Sequence, residues 1–339
     1  MKDFKYYTPT EVIFGKNSEE KTGRLVKKYG GKKVLVHYGG QSAIKSGLLD
    51  KVCGLLAQEG IEYFMLGGVV PNPRLSKVHE GIELCRKEGI DFILAVGGGS
   101  VIDSAKAIAC GVPYEGDVWD FYLGKLHAKE CLPVATVLTI PAAGSEMSES
   151  SVITNEDGDV KLGYSNDITR PKFAIMNPVR TFTLPPYQTA AGVTDMIMHT
   201  MERYFTHDDD MTLTTEVAEA VMRTLMDSVF AVLKNPDDYR NRAQIMWGGS
   251  IAHNGLTGCG VSDDWATHQL EHELSGMFDV THGAGLAAVW PSWARYVYKE
   301  NVSRFVRFAV NVMGVTNDFT DPEGTDLKGI EAMERFYRA

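Results

Sequence analysis

Short β-branched runs alternate with amphipathic stretches through the first half of this 339-residue chain. Strands that alternate with helices at this spacing pair in parallel through crossover helices, so the pattern predicts an open, doubly wound sheet. The predicted strands are Val12–Phe14, Lys33–Tyr38, Glu62–Leu66, Phe92–Val96 and Val134–Leu138. The helices predicted between them are Glu19–Lys28, Gly47–Glu59, Leu75–Glu88 and Val101–Ala109.

The second half of the chain has a different pattern, which begins after a hairpin and a proline-rich joint. Val152–Thr154 and Asp159–Gly163 flank Asn155–Gly158, whose Asp-Gly pair tolerates positive φ, so a β-hairpin is predicted there. Asn177–Pro186 carries three prolines, and almost every later segment has a helical pattern. The helices predicted beyond the joint are Tyr187–Phe205, Thr212–Leu233, Tyr239–His253, Asp264–Met277 and Val302–Val312.

These patterns predict two domains, which the proline-rich joint Asn177–Pro186 connects. Residues 1–183 are expected to form an α/β domain with a mostly parallel sheet, and residues 184–339 an all-α domain. Leu327–Ala339 has an amphipathic helical pattern that stops without a cap or a terminal loop. We therefore expect the helical domain to be truncated at its C-terminus.

Composition and charge exclude several partners. The formal net charge of −10, without a run of lysines and arginines, disfavours nucleic acid and anionic membranes. The five cysteines are scattered and form no Cys-x-x-Cys pair, which is typical of reduced thiols. The N-terminus lacks the apolar core of a signal peptide, and no stretch reaches the apolar length of a membrane helix. A cytoplasmic protein is expected.

A glycine run at the end of one strand predicts a phosphate-binding turn. Phe92–Val96 leads directly into Gly97–Ser100 and then into a predicted helix. Glycines let the backbone approach phosphate oxygens, and the free N–H groups of a helix start favour negative charge. The structural alternative is a tight turn that simply requires glycine. Ser100 and Asp103 also fit a capping box, in which Asp103 only closes the helix start.

A second turn bears on the choice of cofactor. Gly39, Gly40, Gln41 and Ser42 follow the predicted strand Lys33–Tyr38, where the adenosine end of a dinucleotide would bind. An acid in such a turn accepts hydrogen bonds from a free ribose 2′-hydroxyl and repels a 2′-phosphate. This turn contains no acid, which favours NADP(H) over NAD(H).

An aspartate and several histidines have the spacing of metal ligands. Asp195 and His199 lie four residues apart, as do His268 and His272, so each pair shares one helix face. His282 follows just before another helix. One carboxylate with three histidines suits a borderline divalent ion such as Fe²⁺ or Zn²⁺.

Each of these residues also has a purely structural interpretation. A single histidine on a helix is more often a hydrogen-bonded structural residue than a ligand. Asp195 equally fits a charge on a helix surface. The other histidines are assigned the structural role, namely His37, His79, His127, His207 and His253.

Together these segments resemble the iron-containing (group III) alcohol dehydrogenases, in particular their bacterial butanol dehydrogenase and aldehyde reductase branch. The resemblance extends in order from about residue 4 to the end of the chain. The matching motifs are Gly97–Lys106, Pro71–Pro73, Thr139–Glu146, Asn177–Pro178, Thr183–Pro186, Gly192–His199, Asp264–His272 and Thr281–Gly285.

The resemblance implies a dehydroquinate synthase-like architecture, in which a Rossmann-like α/β domain binds the nicotinamide cofactor and an all-α domain binds the metal. His272 matches the histidine near nicotinamide and substrate, and it is the first catalytic candidate, with Asp103 as the second. The implied metal ligands are Asp195, His199, His268 and His282. The implied cofactor-binding residues are Gly39, Gly40, Ser42, Asn72, Gly97, Gly98, Gly99, Ser100, Asp103, Thr139, Ser145 and Lys161.

The chain departs from the family pattern in two places. Ala143 replaces the threonine that usually precedes Gly-Ser-Glu, which removes a hydroxyl contact. Family members also continue past the point where this chain stops.

The implied activity is hydride transfer between NADP(H) and short-chain aldehydes or primary alcohols, with Fe²⁺ favoured over Zn²⁺ and a homodimer as the assembly. One alternative is a related enzyme acting on a phosphorylated polyol, such as a glycerol-1-phosphate dehydrogenase. Segments Gly192–Met201 and Asp264–Met277 offer acids, histidines and apolar residues rather than the basic residues that such a substrate needs. The other alternative is a cofactor-binding module that truncation has inactivated.

Overall fold

The structure is a computed structural model that describes residues 2–208 and 210–339. This part of the chain divides into two compact units. Tyr7–Leu184 is called the sheet unit below. Pro185–Ala339, together with residues 2–6, is called the helical unit.

The sheet unit alternates strands and helices as the sequence pattern predicts. Its strands are β1 (Glu11–Phe14), β2 (Lys33–Tyr38), β3 (Glu62–Leu66), β4 (Phe92–Gly98), β5 (Val134–Ile140), β6 (Ser150–Asn155), β7 (Val160–Ser165) and β8 (Phe173–Met176). Its α-helices are α1 (Thr22–Lys28), α2 (Gln41–Lys45), α3 (Leu48–Gln58), α4 (Leu75–Glu88), α5 (Gly99–Gly111) and α6 (Trp119–Tyr122).

Six strands form one parallel sheet in the order β1-β8-β5-β4-β2-β3. The predicted doubly wound, mostly parallel sheet is therefore confirmed. All seven residues of β4 are buried, as expected of a central strand covered on both faces. The sequence analysis missed β8, because an apolar run of four residues gives no periodicity that separates a strand from a buried turn.

The predicted hairpin is confirmed as the antiparallel pair β6 and β7. Positive φ angles occur at Gly158 (87°) and Asp159 (53°). The turn thus lies one residue later than the Asp-Gly pair predicts, and an aspartate adopts the second left-handed position.

The helical unit contains seven α-helices among its described residues, and α7 is its central element. Every residue of α7 from Gly192 to Tyr204 is buried, and the helix packs most closely against α8, α9 and α11. These helices enclose a core that includes the fully buried Trp290 and Phe308. The seven helices of the unit are α7 (Pro186–Tyr204), α8 (Thr212–Lys234), α9 (Tyr239–His253), α10 (Ala266–Phe278), α11 (His282–Val297), α12 (Val302–Asn311) and α13 (Pro322–Arg338).

The last helix begins earlier than Leu327–Ala339, the segment with the amphipathic pattern. Asp321 caps α13 by accepting a hydrogen bond from Gly324 N, and Pro322 occupies the first turn. This Asp-Pro pair is an ordinary helix-start signal that the sequence analysis overlooked. Among the described residues, no helix is both long and apolar enough to cross a bilayer.

Candidate metal and cofactor sites

Three imidazole nitrogens surround one buried oxygen in the helical unit. His268 Nε2 lies 3.4 Å from Asp195 Oδ1, and His199 Nε2 lies 3.6 Å from the same atom. His282 Nε2 lies 3.7 Å from it. Two of these side chains come from α7, one from α10 and one from the first residue of α11. The four predicted ligands are thus brought together.

The spacing fits a shared cation better than hydrogen bonds. Hydrogen bonds between nitrogen and oxygen are about 2.7–3.2 Å long, which is shorter than these contacts. Ligand atoms at about 2.1 Å from a tetrahedral metal stand about 3.4 Å apart. Asp195, His268 and His282 form the compact part of the group, with ligand atoms all within 4.8 Å of one another, and His199 lies outside that limit.

Two buried atoms of the group need a proton or a cation between them. Asp195 Oδ1 and His268 Nε2 have no hydrogen-bond partner among the described residues. His268 Nδ1 lies 2.7 Å from Glu202 Oε1, and an imidazole that donates there leaves its Nε2 lone pair directed at Asp195. Two acceptors that face each other in a buried site are costly unless a positive charge separates them. The residues therefore fit a divalent metal.

A second carboxylate holds another histidine in the same way. Glu271 Oε2 accepts a hydrogen bond from His282 Nδ1, and Glu271 Oε1 accepts one from Ser275 Oγ. Glu202 and Glu271 are 2% and 0% exposed. Each carboxylate thus turns the Nε2 atom of a ligand towards Asp195.

His199 is held by ring stacking. Its ring centroid lies 3.9 Å from that of His253 and 4.8 Å from that of His268, with the rings nearly parallel. Arg203 donates to the His199 carbonyl at 2.8 Å and approaches His253 Nδ1 at 3.2 Å. Sequence analysis placed His253 among the structural histidines, and the structure places it against a predicted ligand.

The histidines differ in their electrostatics. Burial, followed by the neighbouring imidazoles and Arg203, lowers the pKa of His199 well below its usual range, so it is neutral and able to bind a metal. Burial also lowers the pKa of His268, but Asp195 and Glu202 outweigh this and raise it to about 9. The position between these two carboxylates strongly favours positive charge.

His272 lies beside the ligand group. It is on α10, four residues after His268, and its ring centroid lies 5.7 Å from that of His282 and 6.4 Å from that of His268. Its side chain is almost buried. His272, Glu271 and His282 also form a compact cluster of ligand-type atoms. His272 is therefore close to the predicted metal ligands, but its ring nitrogens are not among the three that surround Asp195 Oδ1.

The predicted cofactor-binding turns follow adjacent strands of the sheet unit. β2, β4 and β5 are neighbours in a parallel sheet, so their carboxyl ends lie at one edge. Gly39 and Gly40 follow β2, Gly98 ends β4, and Thr139 lies near the end of β5. In this order β3 lies on one side of β2 and β4 lies on the other side, so the winding of the chain reverses between β2 and β4. Open α/β sheets bind ligands at such a switch point.

The glycine run joins β4 to α5 without a loop, because the strand ends at Gly98 and the helix begins at Gly99. A Cβ at position 97 would lie 2.5 Å from Val101 Cγ2, and one at position 98 would lie 2.9 Å from Ile140 Cβ. Packing therefore requires both glycines, as the tight-turn alternative predicts. The same packing presents the first N–H groups of α5, which have no helical partner and suit an anion.

The predicted capping box is wrong. α5 has no side-chain cap, because its N-cap is Gly98 and Ser100 lies inside the first turn. Asp103 Oδ1 accepts from Ser145 Oγ at 2.6 Å, and its Oδ2 accepts from Val152 N at 3.0 Å. Asp103 thus joins α5 to the segment before β6 and to β6 itself.

Lys106 holds the same segment from within α5. It is fully buried, and its Nζ lies 2.7, 2.9 and 2.8 Å from the carbonyl oxygens of Ser145, Ser148 and Ser150. Burial lowers the pKa of Lys106 to about 8. The segment that carries the predicted cofactor residue Ser145 is therefore fixed to the helix that follows the glycine run.

The remaining predicted cofactor residues lie on three segments. Asn72 is buried and adopts a left-handed φ of 51°. Thr154 N donates to Pro73 O at 2.8 Å, and Lys161 pairs with Thr154 across the hairpin, so β6 links these two segments. Ser42 is exposed on α2.

Two family models match the chain. The model described as iron-containing alcohol dehydrogenase matches residues 9–178, and the C-terminal model of the Fe-containing alcohol dehydrogenase family matches residues 189–339. The chain belongs to the iron-containing alcohol dehydrogenase family. This confirms the resemblance on which the sequence analysis relied.

Individual relatives place this chain in the predicted branch of the family. It is 42% identical over 337 residues to the probable NADH-dependent butanol dehydrogenase 2 of Bacillus subtilis. The matched region covers 99% of this chain and 86% of that protein. It is 36% identical over 335 residues to the NADPH-dependent aldehyde reductase YqhD of Escherichia coli, covering 98% of this chain and 84% of that protein.

A solved structure confirms the fold. The crystal structure of NADH-dependent butanol dehydrogenase A from Thermotoga maritima is similar with a TM-score of 0.97 and 43% identity, covering 100% of this chain and 84% of that one. The predicted dehydroquinate synthase-like architecture, a parallel α/β part followed by a helical part, is therefore correct for this chain.

Sequence reasoning missed several residues that lie around the candidate metal site of the helical unit or the candidate cofactor site of the sheet unit. Glu202 lies three residues after His199, and Glu271 lies three residues after His268, so each shares a helix face with a ligand. That spacing was visible, but a glutamate on a helix is too common to stand out. Lys106 was recognised only as the end of a motif.

Proposed function

We propose that this alcohol or aldehyde oxidoreductase uses a divalent metal and a nicotinamide cofactor to reduce short-chain aldehydes and to oxidise the matching primary alcohols. The observation that carries the proposal is the convergence of three imidazole Nε2 atoms on Asp195 Oδ1 within 3.7 Å. The names of the butanol dehydrogenase and aldehyde reductase relatives support the substrate class.

The residues of this chain would divide the work as follows. A divalent cation supplies Lewis acidity that polarises a carbonyl oxygen, and a reduced nicotinamide supplies the hydride. Asp195 and the three histidines around it, His199, His268 and His282, hold the cation. Fe²⁺ is proposed as the native ion on the basis of the family, and the same ligand set also suits Zn²⁺.

His272 is proposed as the residue that supplies a proton to the substrate oxygen during reduction. It lies beside the ligand group, and its side chain is almost buried. Histidine is suited to this role because its usual pKa is close to neutral. Asp103, the other catalytic candidate, is proposed to hold Ser145 and Val152 in position, because each of its carboxylate oxygens already accepts a hydrogen bond from one of them.

The preference for NADP(H) is a finer part of the proposal. The turn at residues 39–42 has no acid to bind a free 2′-hydroxyl, and the first charged residue after β2 is Lys45. The Escherichia coli relative is named NADPH-dependent, whereas the butanol dehydrogenases at higher identity are named NADH-dependent. The homodimer and the cytoplasmic location stay predictions.

Steady-state kinetics with matched substrates test the proposal. The Fe²⁺-loaded protein is assayed with butyraldehyde and with dihydroxyacetone phosphate, each with NADPH and with NADH. We expect turnover of butyraldehyde, little or none of the phosphorylated ketone, and a higher kcat/KM with NADPH. Turnover of the phosphorylated substrate alone would replace the proposal with the polyol phosphate alternative. A higher kcat/KM with NADH would overturn only the cofactor preference.

A further inference from the structure

Two buried glutamates lie behind the predicted metal ligands and are themselves outside the ligand set. Glu202 Oε1 is 2.7 Å from His268 Nδ1, and the same oxygen accepts from the backbone N–H of His268 at 2.9 Å. Two bonds to one residue fix both the ring and the start of α10 that carries it.

Glu271 occupies a position built for a carboxylate. Ser275 Oγ donates to its Oε1, and His282 Nδ1 donates to its Oε2. A Cβ at Gly285 would lie 2.8 Å from Glu271 Cγ, so the glycine leaves the room that this side chain needs. Full burial of Glu271 leaves water no access to it.

The two glutamates link three helices in sequence. Glu202 on α7 holds a ligand of α10, and Glu271 on α10 holds a ligand of α11. Burying two carboxylates beside the carboxylate of Asp195 is costly without a compensating positive charge. A proton on His268 or a cation at Asp195 supplies that charge, and the approach of His199 and His282 to the same oxygen favours the cation.

We propose that Glu202 and Glu271 are positioning residues that hold His268 and His282 with Nδ1 protonated and Nε2 directed at the metal, and thereby set the affinity for a divalent cation. The inference rests on the metal site of the proposed function. Carboxylate partners of ligating histidines fix the ring orientation and make the ligand more basic, and their loss typically weakens metal binding about 10- to 100-fold.

Cobalt binding measures this role apart from catalysis. Co²⁺ is titrated into chelator-treated protein in competition with a chromophoric chelator, and its visible absorption reports the geometry of its ligands. Glu202→Gln and Glu271→Gln keep the size of the side chain and lose the charge. Glu273→Gln is the control, because Glu273 is an exposed residue of the same helix α10. We expect about 10- to 100-fold weaker binding in the first two variants and no change in the control.

Thermal unfolding separates positioning from a role in the fold. Without Co²⁺, the two variants are expected to melt close to the wild-type temperature, because glutamine keeps the size of the side chain and its oxygen still accepts a hydrogen bond. With saturating Co²⁺, they are expected to gain less in melting temperature than the wild type. Wild-type affinity and an unchanged cobalt spectrum in both variants would overturn the inference and leave the proposed function intact. Failure of the wild-type protein itself to bind Co²⁺ would overturn both.

Discussion

Asp195 Oδ1 and His268 Nε2 lie 3.4 Å apart in the buried interior of the helical unit, and neither atom has a hydrogen-bond partner among the described residues. Two acceptors in this position repel each other unless a proton or a cation lies between them. The approach of two more imidazoles to the same oxygen favours a cation, and the first two predictions concern this group.

Removal of His268 is expected to abolish metal binding. His268→Ala takes away the ligand closest to Asp195 Oδ1, so the affinity for Fe²⁺ or Co²⁺ should fall by more than about 100-fold, beyond the loss typical of an orienting partner. Metal content after dialysis measures the effect. His79→Ala, at an exposed histidine of the sheet unit, should keep full metal content. Full occupancy in His268→Ala would contradict the assignment of the site.

Removal of His272 is expected to separate proton transfer from metal binding. His272→Asn should bind metal like the wild type, because its ring lies beside the ligand group, and should lose about 10²- to 10⁴-fold in kcat, the usual contribution of a general acid. Wild-type kcat in this variant would assign proton delivery to another group.

These two predictions concern residues that the sequence analysis identified. The roles of other residues in the site could not be predicted from the sequence. Spacing four residues apart on a helix placed His268 and His272 on one face, and the structure agrees. The partnership of Glu202 with His268 spans 66 positions in the chain and depends on how α7 and α10 pack. Periodicity describes one helix at a time, so such a contact between helices cannot be read from it. The capping box at Ser100 was wrong for a related reason, because Asp103 finds its partners across the fold in Ser145 and Val152.

Replacement of Lys106 is expected to weaken cofactor binding without affecting the metal. Lys106→Met removes the donor to three carbonyl oxygens, the buried ones of Ser145 and Ser148 and the partly buried one of Ser150, so segment 145–150 should loosen. We expect the Kd for NADPH to rise by roughly 10-fold and the free energy of unfolding to fall by about 2–4 kcal/mol. Fluorescence titration and chemical unfolding measure both. Lys87→Met, at an exposed lysine, is the control. An unchanged Kd would contradict a role in cofactor binding.

Replacement of Asp326 is expected to stabilise the protein at high pH. Its two carboxylate oxygens are buried without hydrogen-bond partners among the described residues, and burial raises the pKa of Asp326 to about 7. Between about pH 4 and pH 7 the unfolded chain releases this proton while the folded chain keeps it, so stability falls as pH rises through that interval. Above pH 7 the loss is complete.

Asp326→Asn removes the charge, so its melting temperature should exceed that of the wild type at pH 8 by more than it does at pH 5. The free energy of unfolding of the variant at pH 8 is expected to exceed that of the wild type by on the order of 2–4 kcal/mol. Glu331→Gln, at an exposed residue of the same helix, should show no such dependence on pH. An equal change at the two pH values would mean that Asp326 does not titrate in this interval.

The central claim is that a divalent metal at Asp195 and its three histidines makes this protein an alcohol dehydrogenase. The most direct test is NADPH oxidation with butyraldehyde by protein stripped with a chelator and then reloaded with Fe²⁺ under anaerobic conditions. The account predicts no turnover after stripping and recovery on reloading, with circular dichroism showing a folded protein throughout. Equal turnover by the stripped and reloaded protein would contradict it.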